Sequence, residues 1–261
     1  MGVRHSEEKI VYHFFTETEQ IGETEAVIEG PDVNHIKNVL RMKPGERLTV
    51  SDGKGKARLC KIGELHPDRI LCRVLEEPVE DTELPVKVTL FQGLPKSDKM
   101  ELIIQKAVEL GVSSVVPVDT ARTVVRLDRK KEEARVKRWN GISESAAKQS
   151  GRMRIPEVNP VMSLKEALKA AEEFDLKIIP YEEEGSLDGA GGMEKTRSLL
   201  KNLRPGQSAA VFIGPEGGFD RSEISLALEW GVQPVSLGRR ILRTETAGLF
   251  VLSAFGFLLE P

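Results

Sequence analysis

The pattern of the chain changes at Pro85. Upstream of it, five short apolar-rich runs (residues 11–15, 25–28, 47–50, 57–62 and 70–74) are separated by turn residues such as Asp52-Gly53, and strands at this spacing predict a small β-barrel. Val33, Ile36, Val39 and Leu40 recur at helical spacing and predict one helix over 32–42, ended by Pro44-Gly45. Downstream, strands (86–90, 114–118, 176–180, 209–213, 233–237) alternate with helices (99–110, about 128–150, 163–174, 193–203, 220–230, 246–259). That alternation predicts an α/β domain with a mainly parallel sheet covered on both faces. Ligands of such sheets bind in loops beyond the carboxyl ends of the strands. The acidic, proline-bearing stretch 76–85 reads as a linker, so the expected domains are 1–80 and 86–261.

A chain of 261 residues can bury a sizeable core without staples. Its two cysteines, Cys60 and Cys72, exclude a disulfide framework and a cysteine-rich zinc site; on neighbouring strands they read as small hydrophobes. Four scattered histidines lack ligand spacing, so no metal is expected. The polar start carries no secretory signal, and the match of Met1-Gly2 and Ser6 to a myristoylation pattern is read as coincidence. The apolar stretch 247–259 falls short of the roughly 20 residues that span a bilayer. A reduced, cytoplasmic protein is expected. Because 247–259 is apolar all round, it calls for burial on every side, by a dimer partner or by its own domain.

Net charge is −3, yet residues 86–160 carry 15 basic and 9 acidic side chains. A second basic cluster runs from His35 to Arg58. Two basic stripes in an acidic chain suit a phosphate-tracking surface, or else two solvated, salt-bridged faces.

Two loops can carry chemistry. Gly214-Pro215-Glu216-Gly217-Gly218-Phe219 follows the apolar run ending at Ile213 and precedes a helix whose start is marked by Asp220 and Glu223. Its glycines let backbone approach a ligand closely; the alternative is an ordinary tight turn with Glu216 complementing a helix dipole. It lacks the spacing of a dinucleotide fingerprint or a phosphate loop. Gly189-Ala190-Gly191-Gly192 follows no strand and is read as flexible. The second loop, Leu237-Gly238-Arg239-Arg240-Ile241-Leu242-Arg243-Thr244-Glu245-Thr246-Ala247, places Ile241 and Leu242 where they suit the walls of a slot for a flat ring. Each loop follows a strand and opens a helix, so both should converge at one edge of the sheet.

These loops resemble the cofactor loops of the SPOUT methyltransferases, and the chain as a whole resembles the RsmE family of bacterial 16S ribosomal RNA uridine-N3 methyltransferases. The resemblance is carried by His35-Ile36-Lys37-Asn38-Val39-Leu40-Arg41, by Lys99-Met100-Glu101 with 105–112, and by Glu144 through Arg152. His13 stands before two phenylalanines where the family commonly has arginine. The resemblance implies a PUA-like barrel, a SPOUT domain with a trefoil knot, a homodimer, S-adenosylmethionine as cofactor and 16S ribosomal RNA, within the small subunit, as partner. The implied cofactor set is Pro180, Ile213, Gly214, Pro215, Glu216, Gly217, Gly218, Leu237, Gly238, Ile241, Leu242, Arg243, Thr244, Thr246 and Ala247. RNA contacts fall to His13, Lys37, Arg41, Arg122 and Arg152.

Uridine N3 must lose its proton before it can attack a methyl group, which calls for a general base or for positive charge beside the base. Arg243 and Arg152 are the candidates for charge, and Glu216 or Glu245 for the base. Three readings compete: an RNA methyltransferase, acting on uridine N3 or on another atom; a nicotinamide-dependent oxidoreductase; and a non-catalytic RNA-binding protein.

Overall fold

Alternation of side chains along the early strands puts one row inward. The computed structural model describes residues 11–125, 128–181 and 189–260; the amino-terminal residues read for targeting signals lie outside these. The chain forms two compact units, the first running up to Glu83 and joined by Ala147–Ile155.

In the first unit, β1 (Tyr12–Phe15), β2 (Glu25–Glu29), β3 (Arg47–Ser51), β4 (Ala57–Leu65) and β5 (Arg69–Val74) form a sheet in the order β1-β3-β4-β5-β2. β1 runs parallel to β3 and the remaining pairs are antiparallel, so the sheet is a mixed half-barrel with β1 and β2 at its edges. Its core gathers Phe14, Ile28, Ile36, Leu48, Val50, Ile62 and Ile70. Burial pushes the Cys60 and Cys72 thiols up to about 11 and about 12, so both stay protonated and act as small apolar groups.

The helix expected over 32–42 is broken. α1 (Pro31–Asn34) gives way to a wide π-turn over His35–Val39, and Arg41 adopts a left-handed φ of 54°. The Met42 amide then reaches back to the Ile36 carbonyl at 3.0 Å, which buries Met42 and leaves Val39 exposed. A regular helix would have carried Met42 past the core. Residues 147–155 lie along the β3–β4 hairpin: Ser51 Oγ donates to the Met153 carbonyl at 3.0 Å and the Ile155 amide donates to Gly53 at 2.9 Å.

The second unit follows the expected alternation. It contains β6 (Lys87–Gly93), α2 (Lys99–Glu109), β7 (Ser114–Asp119), α3 (Arg129–Gln149), the two-residue strands β8 (Glu157–Val158) and β9 (Met162–Ser163), and α4 (Leu164–Ala170). β10 (Leu176–Pro180), α5 (Gly189–Lys201), β11 (Ser208–Ile213), α6 (Arg221–Glu229), β12 (Gln233–Val235) and α7 (Thr244–Leu259) complete it. Every described strand pair is parallel, in the order β12-β10-β11-β6-β7-β8 with β9 beside β7. β11 returns to lie between β6 and β10, which creates the change of direction at which α/β sheets open a crevice. Phe91 and Phe212 stack at 4.6 Å across this seam.

Two expectations are corrected. The glycines at 189–192 open α5 instead of forming a flexible loop; Gly192 permits this because a Cβ there would lie 2.8 Å from Ser236 Cβ. Nor, among the described residues, is α7 covered on every side by its own domain, one of the two coverings expected. Ala247, Gly248, Val251, Leu252 and Phe255 are buried, while Phe250 is exposed and Phe257 is 89% accessible.

Candidate active site

The carboxyl ends of β10, β11 and β12 lie side by side, with Pro180 paired to Val235 and Ile213 paired to Gln92 at the end of β6. Both candidate loops leave this edge, and they meet as expected. Thr244 Oγ1 donates to the Gly214 carbonyl at 2.6 Å, and Gln92 Nε2 donates to Thr244 Oγ1 at 2.9 Å. α7 begins two residues earlier than the sequence pattern suggests, at Thr244, with Arg243 as its N-cap. Thr244 and Glu245 therefore sit on the first helical turn, where an acidic side chain is favoured by the helix dipole.

The 214–219 loop is tightly built. The Gly218 amide donates to the Pro215 carbonyl at 2.8 Å, and Gly218 has a φ of 66°. A Cβ on Gly214 would stand 3.0 Å from Gly218 backbone, so a side chain there would press on the loop where it folds back on itself. Asp220 and Glu223 form the predicted capping box, and Glu223 also accepts from the Ala121 amide at 2.8 Å. Arg122 Nη1 donates to the Gly217 carbonyl at 2.7 Å, and Arg122 Nη2 lies 3.6 Å from Asp220. Arg122, read from sequence as an RNA contact, is thus placed as a brace of this loop.

Glu216 is held by its surroundings. Its carboxylate accepts from the Lys96 amide at 3.2 Å and lies 3.0 Å from Lys99 Nζ. Partial burial opposes its charge, but hydrogen bonds from its own amide, Lys99 and Lys96 outweigh that and lower its pKa. A carboxylate so stabilised is a poor proton acceptor. Lys99 Nζ also lies 3.3 Å from Glu245 Oε2, a buried atom with no other polar partner among the described residues. The hydrogen bond to Glu216, ahead of that to Glu245, raises the Lys99 pKa and keeps it cationic. Lys99 is the site residue that sequence reasoning missed, although it stands first in a stretch noted for resemblance. Its only signal was its place in the first turn of a helix following β6. Gln92 was missed as well: it is fully buried, and its Oε1 has no partner among the described residues.

The 237–243 loop is more open. Leu237 is buried and Leu242 half-buried, but Ile241 is 96% accessible, so it forms no wall in this arrangement. Arg239, Arg240 and Arg243 are exposed.

The proposed RNA-binding residues of the first unit differ from one another. Lys37 Nζ donates to the His66 carbonyl at 2.8 Å, and Arg41 is exposed. Burial, followed by the nearby Lys148 charge, lowers the His13 pKa to about 4; the ring is neutral at pH 7 and cannot supply an arginine's charge. Arg152 is 3% accessible and ion-paired with Glu83, its Nε 3.3 Å from Glu83 Oε1. Its guanidinium is thus engaged with Glu83 and turned away from solvent, unlike the exposed Arg41. Among the described residues no group of His, Cys, Asp and Glu could hold a metal ion, and no helix is long and apolar enough to cross a membrane.

Residues 82–256 match the RNA methyltransferase domain family, and residues 28–75 match the RNA methyltransferase PUA domain. The chain belongs to the RNA methyltransferase family. Among relatives in this family, ribosomal RNA small subunit methyltransferase E of Bacillus subtilis is 38% identical over 89% of this chain and 90% of its own length. The crystal structure of ribosomal RNA small subunit methyltransferase E from Neisseria gonorrhoeae, bound to S-adenosyl methionine, is 36% identical with a TM-score of 0.76. It covers 95% of this chain and 98% of its own. A Legionella pneumophila methyltransferase in complex with the same cofactor is 30% identical with a TM-score of 0.77, over 95% of this chain and 97% of its own. The pairing of a PUA domain with a methyltransferase domain and a parallel sheet answers the expected fold class.

Proposed function

We propose that this RNA methyltransferase uses S-adenosylmethionine to methylate N3 of a uridine in the decoding region of 16S ribosomal RNA, in the cytoplasm and as a homodimer. Residues 1–80, joined by the returning segment 147–155, serve as the RNA-holding domain and the rest of 86–261 as the transferase, threaded as the trefoil knot of the SPOUT fold. The observation that carries the reading is the hydrogen bond from Thr244 to the Gly214 carbonyl, which joins two strand-end loops into one site. The fit to the cofactor rests on acceptors: the buried Gln92 Oε1 has no hydrogen-bond partner among the described residues, and the Glu216 and Glu245 carboxylates share the single ammonium of Lys99. Such surroundings suit a molecule with a sulfonium, an ammonium and an amino-bearing ring.

When bound, the cofactor supplies an activated methyl group. The backbone of Gly214–Gly218 and of Leu237–Leu242 would hold it, with Pro180 and Ile213 beneath. Arg243, exposed at the start of α7, stabilises negative charge on the uracil ring and so favours loss of the N3 proton. Glu216 is assigned to bracing, because its lowered pKa makes it a weak base. Glu245 remains the candidate proton acceptor. The target base has to leave its stack before N3 is accessible. Arg41 and Lys37 contribute RNA contacts from the first unit. The exposed Phe250 and Phe257, with Leu102 on α2, support a dimer across α7.

The test is methyl transfer to small-subunit RNA from a strain lacking this protein, with the product mapped by mass spectrometry. N3-methyluridine at one decoding-region position is expected, and methylation of another atom would overturn the assignment. Arg243→Ala should lower kcat by about 100-fold with an unchanged melting temperature; a wild-type rate would remove its role.

A further inference from the structure

Three segments of the second unit converge on one ammonium group. Lys99 opens α2, just beyond β6; Glu216 lies in the loop after β11; Glu245 lies on the first turn of α7. Lys99 Nζ stands 3.0 Å from Glu216 Oε1 and 3.3 Å from Glu245 Oε2. The Lys96 amide reinforces the first contact, lying 3.2 and 3.3 Å from the two Glu216 oxygens. The two carboxylates are thus drawn to one point by a charge that neither of their own loops supplies.

We propose that Lys99 is a positioning residue whose ammonium locks the 214–219 loop against the first turn of α7 and thereby sets the affinity for S-adenosylmethionine. This rests on the reading that these two loops hold the cofactor. Ion pairs this near the surface add little to fold stability, so the bridge matters for where it holds its partners. Without the ammonium, Glu216 and Glu245 repel one another, and each loses the charge that holds it at this point. The Thr244–Gly214 hydrogen bond spans the same two elements, so the loops would part only at their carboxylate side. That movement widens the cofactor cradle without unfolding the domain.

The test is calorimetric titration of S-adenosylmethionine into the full-length wild type, Lys99→Met, Lys99→Arg, Glu216→Gln and the Lys99→Met/Glu216→Gln double variant, each with its melting temperature. Lys99→Met and Glu216→Gln should each weaken binding by about tenfold, and the double variant should bind no worse than the weaker single one, because both break one bridge. Lys99→Arg, whose fork also spans two carboxylates, should recover most of the affinity. Melting temperatures should stay within about 2 °C of wild type. A lysine serving only the fold would lower the melting temperature and leave the affinity of the folded protein intact. Wild-type affinity in Lys99→Met, or losses that multiply in the double variant, would overturn the proposal while leaving the cofactor assignment standing. Absence of binding by the wild type would overturn both. If Lys99→Met does not fold, Glu216→Gln breaks the same bridge and decides the matter against the wild type.

Discussion

The loops after β11 and β12 share an edge of the sheet and differ in how they are held. Loop 214–219 is fixed from every direction: by Gly218 bonding back to Pro215, by Arg122 on Gly217, and by Lys96 and Lys99 on Glu216. Loop 237–243 is tied near its ends, through Gly238 to Ser236 and through the first turn of α7, while its middle presents Arg239, Arg240 and a nearly bare Ile241. One loop is built before any ligand arrives, and the other has apolar surface still to cover. A rigid loop beside an open one would let the first set a ligand's position and the second close over it.

The comparison breaks most severely at Gly93. A Cβ there would stand 2.6 Å from Pro215 Cδ and 2.7 Å from Pro215 N, neither of which can swing aside. Gly93→Ala should cost about 2–3 kcal/mol in thermal unfolding and remove measurable cofactor binding. Thr244→Val tests the tie between the loops. It leaves the Gly214 carbonyl without this donor, and a loss of about 1–2 kcal/mol in denaturant unfolding is expected, with cofactor binding weakened by about tenfold. Ile241→Ala sharpens the contrast: stability should change by less than about 0.5 kcal/mol, while calorimetry records weaker binding if the loop closes over the cofactor. Unchanged binding would show that the open loop stays open. The smallest effect concerns pH. The Glu216 pKa in the folded protein lies below the ordinary carboxylate value of 4.5, so its contribution is complete above that value and is lost as pH falls through the lower one. The melting difference between wild type and Glu216→Gln should stay constant from about pH 5 to pH 8 and narrow only in more acid solution.

Much of the fold was legible because burial imposes period. Strand β10 begins and ends where its apolar run does, and Asp220 with Glu223 marks the start of α6 in the sequence itself. The convergence of the two loops was legible too, since each follows a strand and opens a helix; that β10 lies between their strands was not. What escaped depends on tertiary company. The π-turn at His35–Val39 answers to the placement of Met42, which no local pattern encodes. Residues 147–155 carry the basic signature of a surface, yet Arg152 is buried against Glu83, a partner 69 positions away. Lys99 stood in the sequence only as part of the resemblance-bearing stretch 99–101; its contacts depend on carboxylates more than a hundred residues downstream.

The central claim is that the two strand-end loops enclose one adenosyl group. A crystal structure of this protein grown with S-adenosylmethionine tests it directly. The account predicts the adenosyl ring between residues 214–218 and 237–242, with Ile241 moved from solvent onto it. A cofactor lodged elsewhere, or held by one loop while the other keeps its distance, would contradict it.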